Sequence, residues 1–189
     1  MYERLFWIYD NHGGTEKIMG TAFLSHSTYD KGYYVDIAAR YLGKYQIGYD
    51  SETFESGERT LEEIMRELDK ASLFVFFISG KSLESSWVQK EVFLGEERIR
   101  SNGSLRKIYP IIIDEKINYN DERIPLWIRD QYNLKLIRRP SIVARRIESK
   151  LIELNWETHP FFEKRDAIFI GRNSLVEEFE ERIDDHQKE

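Results

Sequence analysis

Apolar residues recur along the chain in two alternating rhythms. Thr21-Ala-Phe-Leu-Ser25 is a short apolar run bounded by Gly20 and the polar His26-Ser-Thr-Tyr-Asp30, the pattern of a buried strand feeding a loop. Tyr34, Ile37, Ala38, Tyr41 and Leu42 follow at helical spacing, which predicts a helix over 31–43 ending near Gly43. Tyr45-Gln-Ile-Gly-Tyr49 alternates as a second strand, and Asp50 to Gly57 reads as a loop. Thr60-Leu-Glu-Glu63 has the capping-box spacing and opens a helix with the stripe Leu61, Ile64, Met65 and Leu68. Leu73-Phe-Val-Phe-Phe-Ile78, apolar at every position, predicts a central strand covered on both faces. Ser79 to Ser86 reads as a polar loop, and Trp87 to Arg100 as a helix through Val88, Val92, Gly95 and Ile99. Ile108–Ile113 and Asn133–Ile137 are the fourth and fifth strands. Pro140 then opens a last helix that runs on Ile142, Val143, Ile147, Leu151, Ile152 and Leu154 to about Asn155.

Strands that alternate with helices over short connections must pair in parallel. The expected fold is α/β: a flavodoxin-like open parallel sheet of about five strands flanked by helices. Ligands in such sheets lie beyond the carboxyl ends of the strands. That singles out Ser25–Asp30, Asp50–Gly57 and Ser79–Trp87.

Composition narrows the class. The 189 residues are 41% hydrophobic and 33% charged, enough apolar material for a core. The longest unbroken apolar run, Leu73–Ile78, is far short of a membrane span. The opening Met1-Tyr-Glu-Arg-Leu5 is too charged for a signal peptide. With no cysteine, disulfides and thiolate chemistry are excluded, and a cytoplasmic location is expected. The net charge of −6 gives no reason to expect nucleic acid or anionic membrane as a partner. The basic pairs Arg138-Arg139 and Arg145-Arg146 read as a solvated helix face. Of 34 acidic and 28 basic residues, 156–189 hold ten and five, so the body is nearly neutral and the tail acidic. Three segments are expected: an N-terminal extension over 1–19, a domain over 20–155, and a linker with a further segment over 156–189. Within the extension, Leu5-Phe-Trp-Ile-Tyr9 reads as a short strand or an apolar plug.

Several chemistries are missing. There is no Gly-x-x-x-x-Gly-Lys-Ser/Thr loop and no Gly-x-Gly-x-x-Gly after a strand. The third strand ends on Ser79 where a phosphorelay receiver needs an aspartate. His12, His26, His159 and His186 lie scattered without metal spacing, so no metal site is expected. The sharpest local feature is Ser85-Ser-Trp-Val-Gln-Lys-Glu91, in which a serine cap precedes Trp87 and Glu91 at i and i+4 on one helix face. By spacing alone, a capped amphipathic helix with a packed Trp and a solvated Glu reads the same way.

Taken in order, Phe23-Leu-Ser-His-Ser27, then Asp50 after the second strand, then Phe76-Phe-Ile-Ser79, then Ser86-Trp-x-x-x-Glu91, resemble a TIR domain over about residues 20–155. The resemblance implies one of two activities. Many bacterial, plant and some animal TIR domains cleave NAD+ at the nicotinamide–ribose bond, with the glutamate of the Trp-x-x-x-Glu helix as catalytic residue; here that is Glu91. Others are non-catalytic protein–protein interaction modules. NAD+ is thus the expected substrate, and no cofactor is called for. Ser25, His26 and Ser27 are candidates for the nicotinamide or ribose end, while Phe23 reads as core. Trp87 walls the ribose or simply packs. Asp50 and Phe54 belong to the BB loop, whose segment Ser51–Gly57 is expected to complete the site of a neighbouring copy by self-association. That loop lacks the proline or arginine often found in animal receptor versions. The segment Ala167-Ile-Phe-Ile-Gly-Arg172 and the amphipathic stretch after it resemble the start of a STAND or AAA-type NTPase domain. Such a fusion implies a longer chain in which the TIR domain is the effector of an immune or antiphage defence protein. A flavodoxin-like domain binding another ligand is the third reading.

The chemistry is sound for a single carboxylate. Nicotinamide leaves a cationic ring as a neutral molecule, so no general acid is needed, unlike in glycosidases. A carboxylate about 4 Å from the developing oxocarbenium charge contributes roughly 4 kcal/mol at an effective dielectric near 20, on the order of a thousandfold in rate.

Overall fold

The computed structural model describes residues 20–42 and 61–158. The extension 1–19, the expected second strand Tyr45–Tyr49, the loop Asp50–Gly57 and the tail from His159 lie outside the described residues.

The described strands are β1 (Ala22–Ser25), β2 (Leu73–Ile78) and β3 (Lys107–Ile112), parallel and in the order β1-β2-β3. Ala22 pairs with Leu73 and Leu73 with Lys107, so the carboxyl ends of β1 and β2 lie side by side. All six residues of β2 are buried, as a strand covered on both faces requires. Its odd positions Leu73, Val75 and Phe77 join Ala22, Leu24 and Ile111 in one core. Its even positions Phe74, Phe76 and Ile78 join Phe23, Ile108 and Ile112 in the other.

Helices cover both faces. Helix α1 (Thr28–Asp30), a π turn (Lys31–Val35) and α2 (Asp36–Leu42) succeed one another without a break, so the helical segment starts at Thr28 rather than at residue 31. Tyr34, Val35 and Leu42 from this segment share the first core with Ile142, Val143, Ile147, Leu151 and Leu154 of α7 (Pro140–Thr158). Helix α7 starts at Pro140 as the sequence predicts and continues three residues past Asn155. Helix α3 (Leu61–Lys70), with Ile64 and Leu68, and α5 (Ser86–Arg100), with Val88 and Val92, cover the second face.

Two further expectations are corrected by the structure. Ser79–Ser86 is not all loop: Gly80–Glu84 forms α4. Ser79 and Ser82 close a reciprocal capping box, and Asp114 accepts the Gly80 N–H at 3.1 Å. Local hydrogen bonds replace the apolar repeat that a longer helix would show. The fifth strand shrinks to one parallel bridge, Leu136 beside Ile112. Ile112 donates to Lys135 O and accepts from Ile137 N, so its backbone groups face that segment. Two residues earlier on the same edge stands Pro110, which has no N–H to continue the ladder. A further helix, α6 (Leu126–Gln131), anchors on the buried Ile128.

Candidate functional site

Position 25 is the last of β1 and points to the same face as Phe23, where the rest of the inward side is apolar. Ser25 there is wholly buried, and its hydroxyl donates to Glu91 Oε2 at 2.6 Å. Glu91 comes from the second turn of α5 and is 5% exposed. The register of α5 follows from two local features. Ser85 caps it by accepting the Val88 N–H at 3.3 Å. One turn beyond Glu91, on the same stripe, stands Gly95. A Cβ added there would lie 3.1 Å from the Phe74 ring, so the glycine seats the helix hard against the sheet. Phe74 is itself stacked on Phe23 at 5.5 Å.

The other sequence-predicted residues divide into three groups. His26 is half-buried, and its Nδ1 lies 2.9 Å from Leu24 O. Ser27 is turned inward, donating to Asp30 Oδ2 at 2.7 Å. Trp87 is half-buried against the second core, with Lys90 Nζ 5.3 Å from its ring centre, so it packs while keeping an exposed edge. Phe23 is core, as expected. Asp50 and Phe54, with the Ser51–Gly57 loop, lie outside the described residues. The structure therefore brings Ser25 and Glu91 together directly, with His26 and Ser27 following Ser25 in the turn after β1.

Sequence reasoning missed Asp30 and Ser79. Asp30 is buried and takes hydroxyl hydrogen bonds from Ser27, from Ser79 at 2.6 Å and from Tyr33 at 2.8 Å. Burial of the Tyr33 hydroxyl end, reinforced by its hydrogen bond to Asp30 and by that carboxylate's charge, pushes the phenol up to about 12. Ser27-x-x-Asp30 is visible in the sequence as a helix-capping pair. The structure uses it differently: the Ser27 hydroxyl donates a hydrogen bond to the carboxylate instead of accepting a backbone N–H.

A separate cleft of about 360 Å³ runs along α5 beside Phe76, Val88, Val92, Pro125 and Trp127; Glu91 does not line it. Its charged rim is already committed, Glu96 to Arg100 and Arg123 to Asp121. Among the described residues, no group of three or more His, Asp or Glu side chains is gathered as a metal site.

A family model for the TIR domain matches residues 22–140, more than half of the chain. The chain belongs to the TIR-domain family. The match begins at the first residue of β1 and ends at the first residue of α7, so it contains Ser25, Asp30, Ser79 and Glu91. Comparison with curated proteins finds no match. No helix among the described residues is long and apolar enough to cross a membrane. A TIR domain is a signalling module whose family includes NAD+-cleaving members.

Proposed function

We propose that this TIR domain releases nicotinamide from NAD+, with Glu91 as the catalytic residue. One observation carries the reading. The Glu91 carboxylate is withdrawn almost wholly from water yet stands at the carboxyl end of β1, held by the Ser25 hydroxyl. Burying a carboxylate costs free energy unless its partners compensate, and that cost is accounted for if the charge is used in chemistry. A preoriented charge in a dry setting acts on a developing cation without first reorganising water.

In this mechanism the C–N bond between ribose and nicotinamide breaks, and its electron pair goes to the nicotinamide nitrogen, which leaves neutral. Glu91 faces the oxocarbenium charge on the ribosyl group. Water, losing a proton, captures that group; in a cyclase a nucleophile of the same molecule does so. Ser25 keeps the carboxylate in one orientation, and His26 and Trp87 border the ribose and nicotinamide, with Ser27 behind them holding the turn through Asp30. Asp50 and Phe54 supply the BB-loop side. The site is completed when the Ser51–Gly57 loop of another copy docks, in keeping with the common self-association of TIR domains. The domain then acts as the cytoplasmic effector of an immune or antiphage defence protein, with the segment after residue 155 leading into an NTPase or sensor domain.

The test is incubation with NAD+ and detection of free nicotinamide at several protein concentrations. Specific activity should rise with concentration or forced clustering. Glu91→Gln preserves volume and removes the charge, and should lose at least about a hundredfold in rate. Retained activity in that variant would falsify the assignment.

A further inference from the structure

Asp30 has no role in the chemistry above, yet it is among the most buried polar side chains described, 1% exposed. Among the described residues its carboxylate accepts three hydroxyl hydrogen bonds, from Ser27 and Ser79 on Oδ2 and from Tyr33 on Oδ1. Burying a carboxylate on hydroxyls alone is costly, since each neutral donor offsets only part of the lost hydration. The arrangement therefore asks what it fixes.

Two short paths lead from Asp30 to Glu91. In one, Ser27 ties Asp30 to the turn after β1, two residues from Ser25. In the other, Ser79 ties it to the turn after β2. The Ser79 hydroxyl donates to Asp30 and its oxygen accepts the Ser82 N–H at 3.0 Å, so the same oxygen starts α4. Helix α4 runs directly into Ser85, the cap of α5, and α5 carries Glu91. The Ser25–Glu91 hydrogen bond joins the two paths into a closed circuit. Adjacent strands set their carboxyl ends side by side, but the turns beyond them have no ladder to hold them. Asp30 supplies that link.

We propose that Asp30 is a positioning residue: its buried carboxylate clamps the turns after β1 and β2 together and so fixes Glu91 against Ser25. The inference deepens the NAD+ reading, and its kinetic part rests on that reading. A displacement of about 1 Å at a catalytic group can cost on the order of a hundredfold.

Asp30→Asn, made in the full chain, keeps the volume but removes the charge and one acceptor oxygen. Nicotinamide release should fall about tenfold to a hundredfold in kcat, with KM for NAD+ within about threefold. Amide hydrogen exchange should quicken together in 26–30 and 79–86 while Leu73–Phe77 and α7 stay protected. The Tyr33 phenol should titrate nearer its ordinary value, and relaxation of the Glu91 side-chain carbons should show greater motion. Faster exchange spread through β2 and α7, with kcat per folded molecule unchanged, would overturn the proposal by reducing Asp30 to a general fold determinant. Exchange unchanged in both turns would overturn it as well. If Asp30→Asn does not fold, Ser27→Ala removes one arm of the clamp and is judged by the same exchange pattern. If the wild-type chain releases no nicotinamide, the NAD+ reading alone fails; exchange in the two turns and Glu91 mobility still decide whether Asp30 positions that carboxylate.

Discussion

On the sheet face covered by α2 and α7, the inward positions Ala22, Leu24, Leu73, Val75, Phe77 and Ile111 are all apolar and buried, and the helices answer with Val35, Ile147 and Leu151. On the α5 face the same strands begin alike, with Phe23, Phe74 and Phe76, but β1 then closes on Ser25 and α5 sets Glu91 between Val88 and Val92. The first face draws its stability from area, which any loss of volume reduces. The second gives up apolar area at one end for a polar pair that survives only while each member has its partner. A fold can therefore keep one face for cohesion and let the other carry chemistry, because opposite faces of a strand are independent in side chain though shared in backbone.

The largest expected effect falls on the cohesive face. Phe77 is fully buried, and its ring meets Tyr34 edge-on at 6.0 Å. Phe77→Ala should cost about 3–5 kcal/mol in denaturant unfolding, while nicotinamide release per folded molecule persists. A loss below about 1 kcal/mol would mean that the α7 face is loosely packed and the contrast between the faces is wrong.

Ser25→Ala attacks the other face. It removes about one oxygen of volume but takes a 2.6 Å donor from a buried carboxylate. A hydrogen bond to a charged group is worth about 1.5–3 kcal/mol, so unfolding free energy should drop by an amount in that range. Nicotinamide release should drop with it, because Glu91 then lacks its fixed orientation. If stability fell and the rate per folded molecule held, Ser25 would be a packing residue only.

These two faces were not equally legible in the sequence. Apolar runs announce β1, β2 and β3, most plainly β2, whose burial on both sides leaves no polar position to mask the pattern. The fifth segment, Asn133–Ile137, carries a strand's composition, but composition is blind to Pro110 in the neighbouring strand, which has no N–H to extend the ladder beyond the two bonds at Ile112. Helices α4 and α6 are too short for periodicity; caps and single anchors such as Ile128 hold them. Glu91 is legible only through the resemblance of Ser86-Trp-x-x-x-Glu91 to the TIR-domain helix, since the i, i+4 spacing alone reads equally as a capped amphipathic helix. Asp30 is not legible, since its partner Ser79 is 49 residues away and only the parallel pairing of β1 with β2 brings them together.

A smaller effect sharpens the comparison from within α5. Gly95→Ala removes the helix-propensity cost of glycine, about 1 kcal/mol, but its Cβ would stand 3.1 Å from Phe74. Phe74 is fully buried and stacked on Phe23, so it cannot yield. Overpacking typically costs about 1–3 kcal/mol. The balance should be a net loss of about 1 kcal/mol, accompanied by slower nicotinamide release as α5 lifts Glu91 from Ser25. A net gain in stability would show that the helix is not seated by that glycine.

The smallest effect is an acid limb confined to the α4 side. The backbone N–H groups of Lys116 and Gly80 hold the Asp114 carboxyl below its ordinary range. The Arg123 guanidinium, donating to both oxygens of Asp121, brings that carboxyl down to about 2. Carboxyls held down in the folded state contribute stability above their unfolded value of about 3.9 and lose it as pH falls through the folded one. Stability should therefore start to decline below about pH 4 and, for Asp121, go on declining to about pH 2. Solvent screening keeps the change small. Because Asp114 accepts the first N–H of α4, its protonation should speed amide exchange at Gly80–Ser82 before it touches α7. Asp114→Asn should flatten the upper part of the limb and bring that fast exchange to neutral pH. Identical profiles in wild type and variant would detach α4 from Asp114 and leave Ser79 alone to hold the helix start.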